Sequence, residues 1–484
     1  MKKTLPLMIF GFLWIVSLGW FGYQKAGCQK PISTLQGDTT AYKEIWHGIY
    51  FSGQKAGYSV TVTQRLDDGG RQVSNRAFLR ISMMDTPQQI KTATSYQLDR
   101  NYFLQDFAFV MEGAAEINVH GRVNGKQLDI DVATGGQNQR QTIKLDGPVY
   151  LPDAIEPMIA NKSIKKGSKY NFSTFDPTSL SLQPAVIEVQ AQESLRIDDQ
   201  SHWATKLSLE MAGTTSTIWV DSAGNTIKEN GPLGITLVRE TKESALQIPA
   251  DDTGIDLLTQ LSVPVTGMAL DKPRDIEYLK IKISGLDISR MDIAGGRQQI
   301  LDIKEQIVSI SELRGNILDA VRPDSLKKYL EPTALIQSDD NRIKGTAKMI
   351  IGKTQGSWEK ALAISQWINQ NLVKQMTVSL PSAVEVLSSR RGDCNEHATL
   401  FAALARASGI PTKLCLGVVY MDGRFYYHAW NAVYCGNKWI ELDPTFGLNP
   451  ADAARLRIIE GDLSQQNRLL PALGNLKIEI LESR

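Results

Sequence analysis

Alternation of apolar and polar residues dominates the chain between about residues 41 and 250. Runs such as Tyr58-Ser59-Val60-Thr61-Val62 and Leu207-Ser208-Leu209-Glu210-Met211 place apolar side chains at every second position, and turn sequences such as Asn124-Gly125 separate the runs. A period of two residues is typical of strands with one buried face. The pattern predicts a large, twisted antiparallel sheet that needs a helix or a second sheet against it. One short helix is predicted near residues 153–159.

The alternation continues in a smaller segment over residues 260–328. Leu279, Ile281 and Ile283 alternate with lysines, which predicts a strand. Residues 301–310 fit either a strand or a helix, and a strand is preferred because the Gly295-Gly296 turn precedes them. We therefore predict a small β connecting unit here.

Helical periods begin in the last third of the chain. Gln337-Ser338-Asp339-Asp340 is a helix-start signal before a predicted helix over 343–351. A second helix is predicted over 358–372, and a short third helix begins at Pro381-Ser382-Ala383. Helices followed by strands predict an α+β domain over residues 329–484.

The most informative helix is predicted to begin at Cys394. Asp393 and Glu396 have the spacing of a capping box, which places Cys394 at the first helical position. Free backbone N–H groups and the positive end of the helix dipole stabilise a thiolate there, whereas the charge of Asp393 opposes one. The hypothesis is a lowered pKa for the Cys394 thiol.

Turn sequences predict the register of the strands that follow this helix. The two-residue turn Gly436-Asn437 sets Trp430 opposite Asp443. Alternation puts His428 on the same face as Trp430. His428 and Asp443 are therefore predicted to be diagonal neighbours with backbones roughly 7–8 Å apart.

A helix-borne cysteine, a strand histidine and an aspartate on the next strand form a thiol-nucleophile arrangement. Taken singly, such residues are more often structural. Taken together, their order and shared face favour catalysis by Cys394, His428 and Asp443. His397 follows on nearly the same helix face as Cys394 and is predicted to line the site, and Trp430 is predicted to form a wall of the cleft.

Four sequence blocks in this region resemble the transglutaminase-like superfamily. They are Gly392-Asp393-Cys394, Ala402 to Arg406 with Gly409-Ile410-Pro411, His428-Ala429-Trp430, and Trp439 with Asp443-Pro444-Thr445. The resemblance covers about residues 329–461 and implies a papain-like fold, in which a nucleophile helix packs on an antiparallel sheet. It also implies that Cys394 is the nucleophile, His428 the general base and acid, and Asp443 its orienter.

The same resemblance bears on the rest of the chemistry. It implies an oxyanion hole made by the Cys394 backbone N–H and an upstream group, for which Trp358, Trp367 and Gln375 are candidates. Members of this superfamily include protein crosslinkers, amide hydrolases and proteins whose degraded triad only binds, and here the triad is intact. The upstream β-rich region resembles the sheet domain of some exported bacterial members.

Composition excludes several other classes. The 484 residues leave room for two to four domains, and 53 Lys and Arg against 52 Asp and Glu give no electrostatic case for nucleic acid. Four cysteines without a C-x-x-C pair make a disulfide scaffold and a zinc site improbable, and no calcium loop is visible. Strand register disfavours a Cys415–Cys435 disulfide. We predict no metal and no cofactor.

The amino terminus predicts a membrane anchor within residues 1–30. Leu5 to Tyr23 is an uncharged, largely apolar run that reaches the roughly 18 residues needed to span a bilayer. Lys2 and Lys3 favour a cytoplasmic start and an exported body. Ala26-Gly27-Cys28 leaves a cleaved or lipidated terminus as the alternative.

The sequence as a whole predicts an anchor at the inner membrane, a β-rich domain over 41–250, a connecting unit over 260–328 and a catalytic domain over 329–484, with the body in the periplasm. The predicted function is a thiol enzyme that acts on a peptide or protein amide through a thioester. The alternative is a non-catalytic envelope module whose β-rich domain binds a partner. The sequence does not determine the oligomeric state.

Overall fold

A computed structural model of the protein describes residues 42–83, 86–112, 116–134, 137–150, 165–197, 200–211, 213–249, 262–312, 324–375, 382–461, 465, 468–469, 472 and 474–484. They divide into two compact units, 42–249 and 262–484. The predicted anchor at 1–30 and the predicted helix near 153–159 lie outside the described residues. Within the described part, no helix has both the length and the apolar character that crossing a membrane requires.

The described residues of the first unit form one sheet of fifteen strands, β1 to β15, in which chain neighbours are mostly spatial neighbours. Its strands are β1 (Tyr42–Phe51), β2 (Gln54–Arg65), β3 (Arg71–Met83), β4 (Thr86–Leu98), β5 (Leu104–Glu112), β6 (Glu116–Asn124), β7 (Gln127–Thr134), β8 (Gln137–Lys144), β9 (Val149–Tyr150), β10 (Lys169–Asp176), β11 (Ser181–Ile197), β12 (Gln200–Met211), β13 (Thr214–Val220), β14 (Thr226–Asn230) and β15 (Ile235–Glu240). The spatial order runs from β8 to β1 and then from β15 to β9. Only the short β9 is parallel to its neighbour β10; the other pairs are antiparallel, so the prediction of a large antiparallel region is confirmed.

This sheet supplies its own second layer. Phe107 on β5 and Phe175 on β10 are far apart in the strand order, yet their ring centroids lie 5.0 Å apart. The sheet therefore curls until residues of its two halves share one core. Gly121 on β6 leaves room for the Phe107 ring, since a Cβ there would lie 2.0 Å from that ring. A short helix α1 (Lys242–Leu246) and a 3₁₀ turn (Pro232–Gly234) complete the unit.

Where the structure describes it, the second unit combines two sheets, one short strand pair and four helices. The five-stranded sheet holds β16 (Val265–Gly267), β17 (Tyr278–Ser284), β18 (Gln298–Asp302), β19 (Ile307–Ser311) and β26 (Lys477–Ser483), and the four-stranded sheet holds β22 (Thr412–Met421), β23 (Arg424–Cys435), β24 (Lys438–Leu442) and β25 (Arg455–Gly461). The pair is β20 (Val373–Lys374) with β21 (Arg391–Gly392). The helices are α2 (Asn341–Ile351), α3 (Ser357–Asn371), α4 (Ala383–Ser389) and α5 (Cys394–Ala407), with 3₁₀ turns at Pro273–Asp275, Ile288–Arg290 and Asp324–Tyr329.

The three helices predicted over 343–351, 358–372 and from 381 are confirmed as α2, α3 and α4. The four-stranded sheet has the order β24-β23-β22-β25, and α5 packs against β22 and β23. Helices α2, α3 and α4 contact α5 in turn. The helix that carries Cys394 is therefore enclosed between helices and a sheet, which explains why almost all of its residues are buried.

One strand prediction needs correction. Residues 301–310 form a hairpin of β18 and β19 instead of one continuous strand. The Asp302 carboxylate accepts the backbone N–H groups of Lys304 and Glu305 at 2.8 and 3.0 Å, which closes the turn between the two strands. Strand β17 pairs with β26 from the far end of the chain. The predicted boundaries at 250–260 and 328–329 stay predictions.

Candidate active site

The helix α5 begins as the sequence predicts. The Asp393 side chain accepts the Asn395 backbone N–H at 2.9 Å, and the Glu396 carboxylate accepts the Asp393 backbone N–H at 2.8 Å. This is the predicted capping box, with Cys394 as the first helical residue. Gly392 has φ +153, and a Cβ there would lie 2.2 Å from the Glu396 Cβ. Glycine at this position therefore lets Glu396 fold back and close the cap.

The thiol of Cys394 is fully buried. Burial raises the pKa of this thiol well above its usual range, and the neighbouring Asp393 charge adds to the effect. A backbone hydrogen bond from Ala429 on β23 favours the thiolate but is outweighed. The hypothesis of a lowered thiol pKa is therefore wrong. The helix dipole is a smaller influence than the desolvation of a charge at a fully buried position.

The predicted strand register is confirmed. Cys415 pairs with Trp430, and the pairing of Asn431 with Leu442 brings Asp443 next to the position opposite Trp430. Cys415 and Cys435 are both buried as thiols in the described part of the chain. This register places two distant residues of the chain in contact: His428 Nε2 lies 2.5 Å from Asp443 Oδ2.

The hydrogen bond between them defines the imidazole tautomer. An ionised carboxylate can only accept, so Nε2 of His428 carries the proton and Nδ1 presents a lone pair. Nδ1 is buried and has no hydrogen-bond partner among the described residues. It is therefore the nitrogen left to exchange a proton with the thiol or with a leaving group.

The carboxylate of Asp443 is held by more than His428. Its Oδ2 accepts a hydrogen bond from Arg455, and its Oδ1 accepts the backbone N–H groups of Thr445 at 2.8 Å and Phe446 at 3.1 Å. Burial alone would raise the pKa of Asp443, but its interaction with His428 and the charge of Arg455 hold it below its usual range. Asp443 is thus an ionised acceptor with every oxygen engaged.

Arg455 is a residue that sequence reasoning missed. It is fully buried and also donates to Asp452 at 2.9 Å, and Asp452 in turn accepts from Arg274 at 2.7 Å. On the sequence, Arg455 alternates with apolar residues of a strand, which is the pattern of an ordinary solvated face. Only the folded chain shows that its guanidinium lies behind the His428–Asp443 pair.

The His428 ring lies between two aromatic side chains. Its centroid is 5.8 Å from that of Trp430, at an interplanar angle of 20°, and 5.0 Å from that of Phe446. Burial lowers the pKa of His428, and Asp443 offsets this only in part. The imidazole is consequently neutral in the resting protein and able to act as a base.

Trp430 is fully buried, and its Nε1 donates to Glu441 at 2.8 Å. Burial alone would raise the pKa of Glu441, but Arg297 and Arg457 bring it down to about 2. Glu441, held by Arg297 and Arg457, thus keeps the Trp430 side chain in place against the His428 ring. The predicted contact of Trp430 with substrate stays a prediction.

His397 is also fully buried. Its Nδ1 lies 2.6 Å from the Asp393 carbonyl oxygen, and its Nε2 is without a partner in the part of the chain that the structure describes. Burial lowers its pKa to about 4, and the charge of Asp443 also acts on the ring. The structure therefore gathers Cys394, His397, His428 and Asp443 in one region.

The group that donates the second hydrogen bond of the oxyanion hole stays a prediction. The Gln375 backbone N–H donates to the Gly392 carbonyl at 3.1 Å, so this residue lies beside the start of α5. The Trp367 ring is covered by the Arg390 guanidinium at 4.4 Å. Neither contact identifies the donor, and Trp358, Trp367 and Gln375 stay predictions.

A buried cysteine at the start of a helix, with a histidine–aspartate pair on the antiparallel sheet below it, defines a class of thiol enzymes. Comparison with known proteins agrees with that class. Residues 344–444 match the family model of the transglutaminase-like superfamily, so this part of the chain is a transglutaminase-like domain. No curated protein matches the chain.

Three solved structures share partial likeness with the chain. A protein from Cytophaga hutchinsonii, described as a candidate cysteine protease, is 20% identical over 43% of this chain and 86% of its own, with a TM-score of 0.30. A β-barrel-like protein of a domain of unknown function from Brucella abortus is 13% identical over 40% and 95%, with a TM-score of 0.33. A candidate protease from Parabacteroides distasonis is 10% identical over 75% and 65%, with a TM-score of 0.20. These scores are too low to transfer a fold or a function.

Proposed function

We propose that the second unit is a thiol enzyme that acts on a peptide or protein amide through a thioester. The observation that carries this proposal is the buried pair of His428 and Asp443, whose Nε2 and Oδ2 atoms lie 2.5 Å apart. The Nδ1 lone pair of His428 has no partner among the described residues. The Cys394 thiol accepts a backbone hydrogen bond from Ala429, the residue next to His428. A pair of this kind supplies a base and an orienter, and the thiol supplies the nucleophile.

The proposed reaction begins with a neutral thiol and a neutral imidazole. Nδ1 of His428 takes the thiol proton as Cys394 Sγ attacks the amide carbon, and a carbon–sulfur bond forms. The carbon–nitrogen bond then breaks, and His428 returns the proton to the leaving amine. Water or a second amine attacks the thioester, gives its proton to His428 and releases Cys394 as the thiol. Asp443 stays ionised throughout and stabilises the imidazolium that forms.

The raised thiol pKa makes proton transfer part of the attack. A resting thiolate–imidazolium pair would need two charges in a fully buried place, which desolvation opposes. The protein therefore keeps its nucleophile protonated until a substrate is in place. This limits side reactions of the thiol.

The proposed location is the periplasmic side of the inner membrane, with residues 1–30 as the anchor. This rests on the apolar length of the amino-terminal run and on Lys2 and Lys3 before it. An exported body is compatible with amide substrates on peptides or proteins of the envelope.

A thiol probe tests the enzyme proposal. We expect an alkylating activity-based probe to label Cys394 in the full chain, and the Cys394→Ala variant to lose that label. Cys415 is equally buried and has no histidine–aspartate pair, so Cys415→Ala is the matched control and should label like the wild type. Labelling that is as strong in Cys394→Ala would defeat the enzyme proposal and favour a binding module.

The fate of the thioester is tested with a glutamine peptide. We expect ammonia release with and without an added primary amine, because the first half of the reaction is the same. Mass spectrometry of the peptide then shows whether the amine is incorporated. If it never is, transfer to amines is excluded and the proposal narrows to hydrolysis.

A further inference from the structure

Near Cys394, two imidazole nitrogens can each accept a hydrogen bond, but the thiol has only one proton to donate. His397 Nδ1 lies 2.6 Å from the Asp393 carbonyl oxygen, which can only accept, so Nδ1 carries the proton and Nε2 presents a lone pair. His428 likewise presents its lone pair at Nδ1, because Nε2 donates to Asp443. Both lone pairs are buried and lack a partner among the described residues.

The thiol can supply only one of these acceptors. Cys394 has a single S–H, which it donates to Asp393 Oδ1 with Sγ 3.7 Å from that oxygen. When that proton passes to His428 during attack, His397 Nε2 still has none. A buried acceptor without a donor is costly, so the site is built for a donor that arrives from outside.

The position of His397 says where this donor must be. It follows Cys394 by three residues on α5, so the two side chains lie on nearly the same face of the helix. The hydrogen bond of its Nδ1 to residue 393 holds the ring back toward the start of α5, where Cys394 lies. The charge of Asp443, the partner of His428, reaches the same ring.

We propose that His397 Nε2 accepts an N–H of the scissile amide and so selects amides over esters. This rests on the proposed function and names a specificity element for it. An amide nitrogen keeps at least one hydrogen when Cys394 attacks, and an ester oxygen has none. Holding that N–H turns the nitrogen lone pair toward His428, which protonates it as the carbon–nitrogen bond breaks. His397 itself changes no covalent bond.

Two substitutions separate this role from a structural one. In His397→Asn the amide N–H replaces the Nδ1–H that binds residue 393, but no acceptor remains at the Nε2 position. In His397→Gln the longer side chain can place an oxygen near the Nε2 position, but the bond to residue 393 is lost. The two variants therefore remove opposite halves of the imidazole.

The probes are iodoacetamide and methyl iodoacetate, an amide and an ester that differ in size by one methyl group, both of which alkylate thiols. In each case sulfur displaces iodide, and the thiol proton goes to His428. Site-resolved mass spectrometry gives the two rate constants at Cys394, and glutathione gives the intrinsic ratio. Melting temperatures of both variants are measured in parallel, so that a lost fold is recognised.

For each thiol we divide the rate constant with iodoacetamide by the rate constant with methyl iodoacetate. We expect this ratio to be higher for Cys394 in the wild type than for glutathione, and to fall by about tenfold in His397→Asn. His397→Gln should retain most of it. A preference lost in His397→Gln and kept in His397→Asn would show that the ring only anchors the helix, and would overturn the proposal. An unchanged ratio in both variants would overturn it as well. If Cys394 reacts with neither reagent, the proposed function fails first, and this outcome differs visibly from an unchanged ratio.

Discussion

Replacing Asp443 with asparagine is expected to slow thioester formation at Cys394 by about 10⁴-fold, as the same substitution of the orienting carboxylate does in the Ser-His-Asp triad. The physical reason is the number of acceptors at this position. One carboxylate oxygen serves both His428 and Arg455. The other oxygen accepts the backbone N–H groups of Thr445 and Phe446. An asparagine that turns its single oxygen to these two N–H groups presents its own N–H to His428, which forces the imidazole proton onto Nδ1 and removes the base.

The measurement is the burst of nitrophenol from p-nitrophenyl acetate, which acylates the thiol directly. The matched control is Asp452→Asn, because Asp452 binds the same Arg455 at 2.9 Å without being recorded as a partner of His428. Both variants weaken the buried ion pairs of Arg455, but only Asp443→Asn changes which nitrogen of His428 carries the proton. Equal losses in the two variants would contradict the assigned role of Asp443.

Replacing Arg455 with glutamine is expected to move the acid limb of the rate against pH to higher pH. His428 must be neutral to accept the thiol proton, and burial lowers its pKa, with the Arg455 charge acting in the same direction. Removing that charge leaves Asp443 and favours the imidazolium, so the pKa of His428 rises. The wild type should stay active below about pH 6.5, the usual histidine value, and the variant should lose activity there sooner.

The same substitution is expected to cost about 3–5 kcal/mol of folding free energy, because two buried carboxylates lose a shared partner. Urea denaturation measures this cost. Arg455→Lys keeps the charge and is the control for the pH effect, although it loses the double hydrogen bond. An acid limb that stays in place in Arg455→Gln, with the protein folded, would show that Arg455 contributes to stability alone.

The local features of the site were accessible from the sequence. A capping box joins residues three apart, and a two-residue turn defines which residues of a hairpin face each other. The start of α5 at Cys394 and the pairing of Cys415 with Trp430 were therefore predicted correctly. The hairpin within 301–310 was missed because the Asp302 turn lacks the Gly-rich signal that marks the others.

The thiol pKa was predicted in the wrong direction for a related reason. The sequence shows the helix start, which favours a thiolate, but it does not show how deeply that start is covered. Helices α2, α3 and α4 all pack on α5, and the resulting desolvation dominates.

The sequence by itself thus determined the order of elements, the cap of α5 and the strand register, because each depends on residues close together in the chain. The candidate triad followed from combining these local features. The tertiary structure alone decided which charges meet behind that triad. Arg455 and Arg274 come from distant segments, and their pairing with Asp443 and Asp452 arises only when both segments are buried together. Packing between distant segments sets the local dielectric and the charged neighbours of Cys394 and His428. For this reason the thiol and the imidazole are both neutral in the resting protein.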